Sequence, residues 1–386
     1  MFTPEEIPQI IERITARISD DQRLLNALRD DVRPMASESH VIRPRSATAV
    51  SMVASDGGNN QIAYDPFCLQ LVRVVDSYGK QLFFDLISQT TDTGLLSKEQ
   101  LGKGGKDITP LGRMMMDLGV DELSDLSYMI PSSEDIKRDP EKASIRWVEV
   151  YRDLCEWAVL YDLICNKKNF ATDTLIIRDG TLRSFYFSGD LFVRWRKLVE
   201  ESIDKIYKTD RRKVFLAGLY KTSKVYQKYQ LAISLEGILP HGEPRFIRVP
   251  RTLEEKTFRH IQQSLGPEVE GISQQASKRV AGDMYFVRFG PRSGDPVWCV
   301  DIFSKQSEQA PEIFGYMLED AKNGFPVPFY PRCLQMAHEH AQIIGFDEDI
   351  LQEEIIKAIR SNIPEEKRIA LDELRFHTDL AKRRYS

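Results

Sequence analysis

The chain has 386 residues, enough for one large domain or two ordinary ones. Hydrophobic content of 42% with 29% charged residues is the composition expected of a soluble globular protein. A net charge of -5 excludes a global basic field, so any nucleic-acid channel must be local. The five cysteines, Cys68, Cys155, Cys165, Cys299 and Cys333, include no CxxC pair and are odd in number. That argues against a disulfide framework or a cysteine zinc site and for reduced, buried thiols. The start, MFTPEEIPQIIERI, is acidic and amphipathic, unlike a signal peptide, and no apolar run reaches the length of a membrane span. A cytoplasmic protein is expected, with no membrane contact.

Thr3-Pro4-Glu5-Glu6 has the form of a helix start, with Thr as N-cap and Glu at the third position. Ile7, Ile10, Ile11, Ile14, Ile18, Leu25 and Leu28 then follow helical spacing, and their stripe packs either on its own domain or on a second copy. Residues 32–46 read as irregular. Residues 48–59, TAVSMVASDGGN, read as a strand that ends at an Asp56-Gly57 turn. Two further strands, over 70–77 and 80–88, join at Tyr78-Gly79 to complete an antiparallel meander. The stretch 94–139 reads as mixed and carries Gly102, Gly104 and Gly105, with its LGKGGKD segment read as a mobile loop over the site. That segment lacks the spacing of a phosphate loop. The run Met114-Met115-Met116 reads as core. Residues 141–166 form a strong helix with Glu149 and Glu156 on one face, two turns apart. A buried strand over 174–178 then runs into Asp179-Gly180. A helix over 189–207, a strand over 213–219, a hairpin around 290–296 and helices over 311–322 and 332–344 follow. The tail beyond Pro364 reads as a charged helix ending in Lys382-Arg383-Arg384. Three antiparallel strands, helix, strand, helix, strand is a mixed α/β order of ribonuclease H-like character, with helical extensions at both ends.

Two strands that each deliver Asp-Gly could set Asp56 and Asp179 side by side if they are neighbours in one sheet. A third carboxylate would come from Glu156, with Glu149 as the alternative. Clustered anions raise one another's pKa, and a divalent cation relieves that repulsion. Oxygen-only donors suit magnesium or manganese, and two such ions can activate water and stabilise the leaving oxygen of a phosphodiester. His338 could protonate a leaving group or contact the phosphate, with His340 as its competitor. Tyr330 lies eight residues before His338. Lys221, Lys224 and Lys228 could track phosphates, and Arg178 and Arg183 flank the Asp179 turn. Tyr220, Tyr226 and Tyr229 could stack on bases.

Four segments, SDGGNNQ at 55–61, LIIRDGTLRS at 175–184, AGLYKTSK at 217–224 and PVPFYPRCLQMAHEHA at 326–341, resemble in order and spacing those of the NurA nucleases. The resemblance implies a ribonuclease H-like nuclease domain over 47–345. Within it lies an insertion near 90–140, and a helical arm over 1–46 and a tail over 346–386 flank it. It implies a manganese- or magnesium-dependent DNA exonuclease with some endonuclease activity. Such proteins act as homodimers beside HerA, a hexameric DNA-translocating ATPase, in resecting double-strand break ends. By the same resemblance Asp56, Glu156 and Asp179 are metal ligands, Tyr330 and His338 are late site residues, and Lys221 is the basic residue after the fifth strand. Asp56 is followed by Gly-Gly where the family usually has Gly-Ser, and the Glu156 to Asp179 gap is longer than the family's. A non-catalytic nucleic-acid-binding scaffold is the alternative reading, and a metal hydrolase of small molecules a third.

Overall fold

The computed structural model describes residues 3, 6–46, 50–64, 67–103, 105, 107–140, 146–167, 170–263, 278–342 and 345–368. Helix α1 (Glu6–Val32) opens on a reciprocal cap. The Glu6 N–H donates to Thr3 Oγ1 at 3.3 Å, and the Thr3 N–H donates to Glu6 Oε2 at 2.8 Å. A short strand β1 (His40–Val41) precedes the meander β2 (Val50–Tyr64), β3 (Phe67–Asp76) and β4 (Gln81–Ser88). The turn between β3 and β4 is set by Gly79 at φ +78°. Asp76 Oδ1 there accepts from the Tyr78 and Lys80 N–H groups, each at 2.9 Å.

Four short helices follow: α2 (Thr93–Gln100), α3 (Pro110–Leu118), α4 (Leu123–Leu126) and α5 (Ser133–Arg138). The LGKGGKD segment lies between α2 and α3, and the stretch read as mixed is therefore largely a packed helical layer. Asp92, Thr109 and Ser132 cap three of its helices, and it buries Leu111, Met114, Met115 and Leu118. Its glycines end and space helices: Gly119, at φ +71°, terminates α3. Next come α6 (Arg146–Cys165), β5 (Asp173–Asp179), α7 (Leu191–Asp210), β6 (Val214–Tyr220), α8 (Lys224–Leu235), β7 (Arg245–Arg248) and α9 (Arg251–Gln263). The hairpin β8 (Gly282–Arg288) and β9 (Val297–Phe303) is followed by α10 (Ala310–Ala321), α11 (Arg332–Ala341) and α12 (Gly345–Ser361). The basic end of the tail, with Lys382, Arg383 and Arg384, lies outside the described residues. Among the described residues no helix is long and apolar enough to cross a membrane.

The strands form one sheet in the order β1-β7-β8-β9-β6-β5-β2-β3-β4. Strands β2, β3 and β4 pair antiparallel, and β5 and β6 continue parallel from β2. That is the ribonuclease H-like order expected from the chain, here widened by the β7–β9 extension and by β1. One correction concerns β2: it does not turn at Asp56-Gly57 but runs on to Tyr64. Antiparallel pairing with β3 holds the whole stretch from Ser55↔Asp76 to Tyr64↔Phe67 and outweighs the local turn preference of Asp-Gly.

Alternation along β5 and β6 divides the core. Ile176, Val214 and Leu216 face a cluster built with α3, α6 and α7, centred on Trp157 and Trp195 with ring centroids 4.9 Å apart at 83°. Leu175, Ile177, Phe215, Ala217 and Leu219 face the other layer, α10 and α11. A third cluster joins the end of α1 to α8, α9 and the outer strands.

Candidate active site

Strand β5 is buried from Thr174 to Arg178, so its final residue is held on a rigid support. It pairs with β2 from Val50↔Asp173 to Ser55↔Arg178 and with β6 from Thr174↔Val214 to Asp179↔Leu219. Asp56 and Asp179 are each the next residue after the paired Ser55 and Arg178. The backbone therefore sets the two aspartates level on adjacent strands, while the Asp56 side chain lies outside the described residues. Gly180 ends β5 at φ +135°, a conformation glycine alone adopts easily, and its N–H still donates to Leu219 O at 2.8 Å. A Cβ there would also lie 2.7 Å from the Arg178 guanidinium.

Among the described residues, Tyr330 and Lys221 meet the Asp179 carboxylate. Tyr330 Oη donates to Asp179 Oδ2 at 3.3 Å, and Lys221 Nζ lies 3.6 Å from the same oxygen. Tyr330 is only 2% exposed. Its ring packs against Trp298 at 5.1 Å, Trp298 Nε1 donates to Phe329 O at 2.7 Å, and Lys221 Nζ sits 5.1 Å from the Tyr330 ring centre. Tyr330 thus holds the carboxylate from the protein side. Lys221, about half exposed, holds it from the solvent side.

Arg178 points to the opposite face of β5, and here the sequence expectation needs correcting. It is not a surface phosphate contact. Its guanidinium stacks on Trp157 at 4.5 Å, donates to Thr181 O at 2.8 Å and to Glu156 Oε2 at 3.1 Å, and pairs with Asp153. Burial works against its charge, and the carboxylates of Asp153, Glu156 and Asp179 more than offset that, so its pKa is raised. Glu156 is thereby buried in an ion pair with Arg178, with Arg152 Nε 3.6 Å away. Glu149 is exposed two helical turns nearer the start of α6. Between them sits Asp153, which the sequence reading passed over. The signal was present, because positions 149, 153 and 156 lie four and three apart and share one face of the helix.

Arg183 is also internal. It grips Asp301 with Nε at 3.2 Å and Nη2 at 3.1 Å, pairs with Glu254, and is 8% exposed. Neither arginine is presented to solvent, because distant carboxylates claim both. Lys224 is exposed at the first turn of α8, beside the capping Ser223. Lys228 instead lies back on its own domain, 3.4 Å from Lys256 O. His338 is half-buried on α11 with Nε2 2.8 Å from the Gln342 amide, and the ring of His340 packs on Gly79. Tyr220 and Tyr229 are core residues, and Tyr226 packs edge-on against Phe286 at 5.2 Å. Tyr220 and Tyr229 are buried and offer no face to a base.

As a cation site, the arrangement supplies the right donor chemistry. A rigid carboxylate with a hydroxyl donor behind it suits a hard divalent ion, which would displace the Lys221 ammonium from Asp179 Oδ2. Among the described residues no three His, Cys, Asp or Glu side chains converge on one point. The register places the Asp56 backbone beside Asp179.

No family model matches the chain, and no curated protein matches it in sequence. Solved structures do. The NurA nuclease from Sulfolobus solfataricus aligns over 94% of this chain and 99% of its own, at 13% identity and a TM-score of 0.41. A NurA structure bound to dAMP and manganese aligns over 88% and 94%, at 13% identity and 0.40. One with manganese aligns over 91% and 98%, at 16% identity and 0.36.

Proposed function

We propose that this protein is a DNA nuclease that hydrolyses phosphodiesters with manganese or magnesium, by exonuclease action with some endonuclease activity on single strands. The observation that carries the proposal is Asp179: a carboxylate at the tip of a buried strand, held by Tyr330 and Lys221, with the Asp56 backbone level on the neighbouring strand. Asp56 and Asp179, with a carboxylate of α6, would hold the cations, which supply charge neutralisation for the attacked phosphate. The chain's own groups do the rest. Tyr330 fixes the Asp179 rotamer by donating its hydroxyl hydrogen. The Lys221 ammonium is exposed toward solvent, where it can meet a phosphate oxygen. Lys224 extends that positive edge along the strand path. His338 is proposed to carry the proton to the leaving oxygen. By the sequence resemblance, the assembly proposed is a homodimer working beside a HerA-type hexameric ATPase at DNA double-strand breaks in the cytoplasm.

The test is digestion of end-labelled linear DNA with manganese, comparing wild type with Asp179→Asn. The nuclease reading expects wild type to degrade the label and the variant to lose that activity while it still binds the oligonucleotide. Equal cleavage by both would remove Asp179 from the chemistry. A wild type that binds DNA and never cuts it would return the protein to the scaffold reading.

A further inference from the structure

The most exposed large apolar side chain among the described residues is Phe325, at 82%. It stands on the segment between α10 and α11, and that segment doubles back on itself. Gly324 packs so closely that an added Cβ would lie 2.3 Å from Tyr330 O and 2.9 Å from Val327 O. The Gly324 N–H donates to Ala321 O at 3.0 Å and the Tyr330 N–H to Val327 O at 3.3 Å. The Trp298 hydrogen bond to Phe329 O pins the same segment to β9. Phe325 follows Gly324 directly and is therefore beside the backbone of the residue whose hydroxyl holds Asp179. A bare aromatic ring on an anchored loop at that position has no folding role that its contacts explain. It does have the shape and polarity of a stacking platform.

We propose that Phe325 stacks on a nucleobase next to the scissile phosphate, so that it grips a single-stranded or frayed DNA end by a base face rather than by its charge. The proposal rests on the nuclease reading. It also assigns the stacking that Tyr220 and Tyr229, packed in the core, do not supply. Stacking is tolerant of base identity, because every base presents a π face, which suits an enzyme that must move through arbitrary sequence.

The test is fluorescence anisotropy of a labelled single-stranded oligonucleotide, without divalent metal, for wild type and the Phe325→Ala, Phe325→Leu and Phe325→Trp variants. A strand of equal length made wholly of abasic residues is the control. On the normal strand, Phe325→Ala and Phe325→Leu are expected to bind about tenfold more weakly, and Phe325→Trp at least as tightly as wild type. On the abasic strand, all four should bind alike. With manganese, Phe325→Ala should raise KM and leave kcat unchanged. Equal binding of the normal strand by all four proteins overturns the proposal and leaves Phe325 as a surface for another protein. The same loss on the abasic strand also overturns it, since the contact would then be to the backbone. If Asp179-dependent cleavage persists in either case, only the stacking assignment falls. If wild type binds no oligonucleotide, the nuclease reading falls with it.

Discussion

Arg178 sits among the carboxylates of Asp153, Glu156 and Asp179 with its guanidinium stacked on Trp157. Removing one partner of a buried ion cluster leaves the others charged and dry, which typically costs about 3–5 kcal/mol. Arg178→Met is therefore expected to lower the urea midpoint by that order. Arg178→Lys should recover part of it, because it keeps the charge and loses the planar fork. Equal midpoints for wild type and Arg178→Met would show the pairs to be energetically idle. Asp85 gives a pH signature. Burial raises its pKa, against the hydrogen bonds it accepts from Tyr151 Oη at 2.5 Å and Gln100 Nε2 at 3.0 Å. A folded pKa above the unfolded one means that the folded state binds the extra proton between the two values. Stability therefore falls as pH rises through that window and stays lower above it. Denaturant midpoints taken across roughly pH 3 to 7 should show wild type losing stability relative to Asp85→Asn as pH rises. A constant difference would contradict the assignment.

Among the elements, those with strong periodicity were legible in the sequence: the β2–β4 meander, α6, β5, β6 and the β8–β9 hairpin all lie close to where alternation or helical spacing puts them. The helices between 93 and 138 were not, because runs of four to nine residues give too few turns for a period to appear among glycines. Nor were the roles of Arg178 and Arg183. A basic residue beside an Asp-Gly turn looks exposed until its acceptors are known, and Arg183 takes carboxylates 71 and 118 positions away in the chain. Of the candidate site, the Asp179–Lys221–Tyr330 grouping unites three residues named from the motifs, whereas Asp153 was legible in the helical spacing and passed over, and its pairing with Arg178 emerged only in three dimensions. Gly218 on β6 shows how tightly the tip is built. A Cβ there would lie 2.4 Å from Gly180 O and 3.2 Å from Leu182 N, both backbone atoms that cannot swing aside. Gly218→Ala is expected to cost about 1–3 kcal/mol as overpacking. On the nuclease reading, the displaced Gly180 also carries Asp179 with it, so kcat should fall while DNA affinity holds. A variant with a lowered midpoint and unchanged kcat would separate the strand contact from the chemistry.

At the scale of the whole molecule, the two halves of α1 differ in what covers them. Its last turns are tied down: Leu28 packs on the third core cluster, Val32 is fully buried, and Arg29 meets Glu236 at 2.6 Å. Arg33 reaches the same glutamate at 3.0 Å, and Lys256 pairs with Asp31. The first half bears Ile7, Ile11, Ile14 and Ile18, each 46% to 62% exposed, at spacings of four, three and four. That is the apolar seam of a helix pair, continued past the point where its own domain covers it. If the proposed homodimer uses this seam, a double change of Ile11→Glu and Ile14→Glu should convert a dimer to a monomer in sedimentation velocity. The urea midpoint of the sheet should not move, because neither side chain contributes to the described core. A dimer that survives the double change would place the subunit contact elsewhere on the fold. A wild-type chain that sediments as a monomer would remove the homodimer altogether, while leaving the chemistry at Asp179 to be judged on DNA cleavage alone.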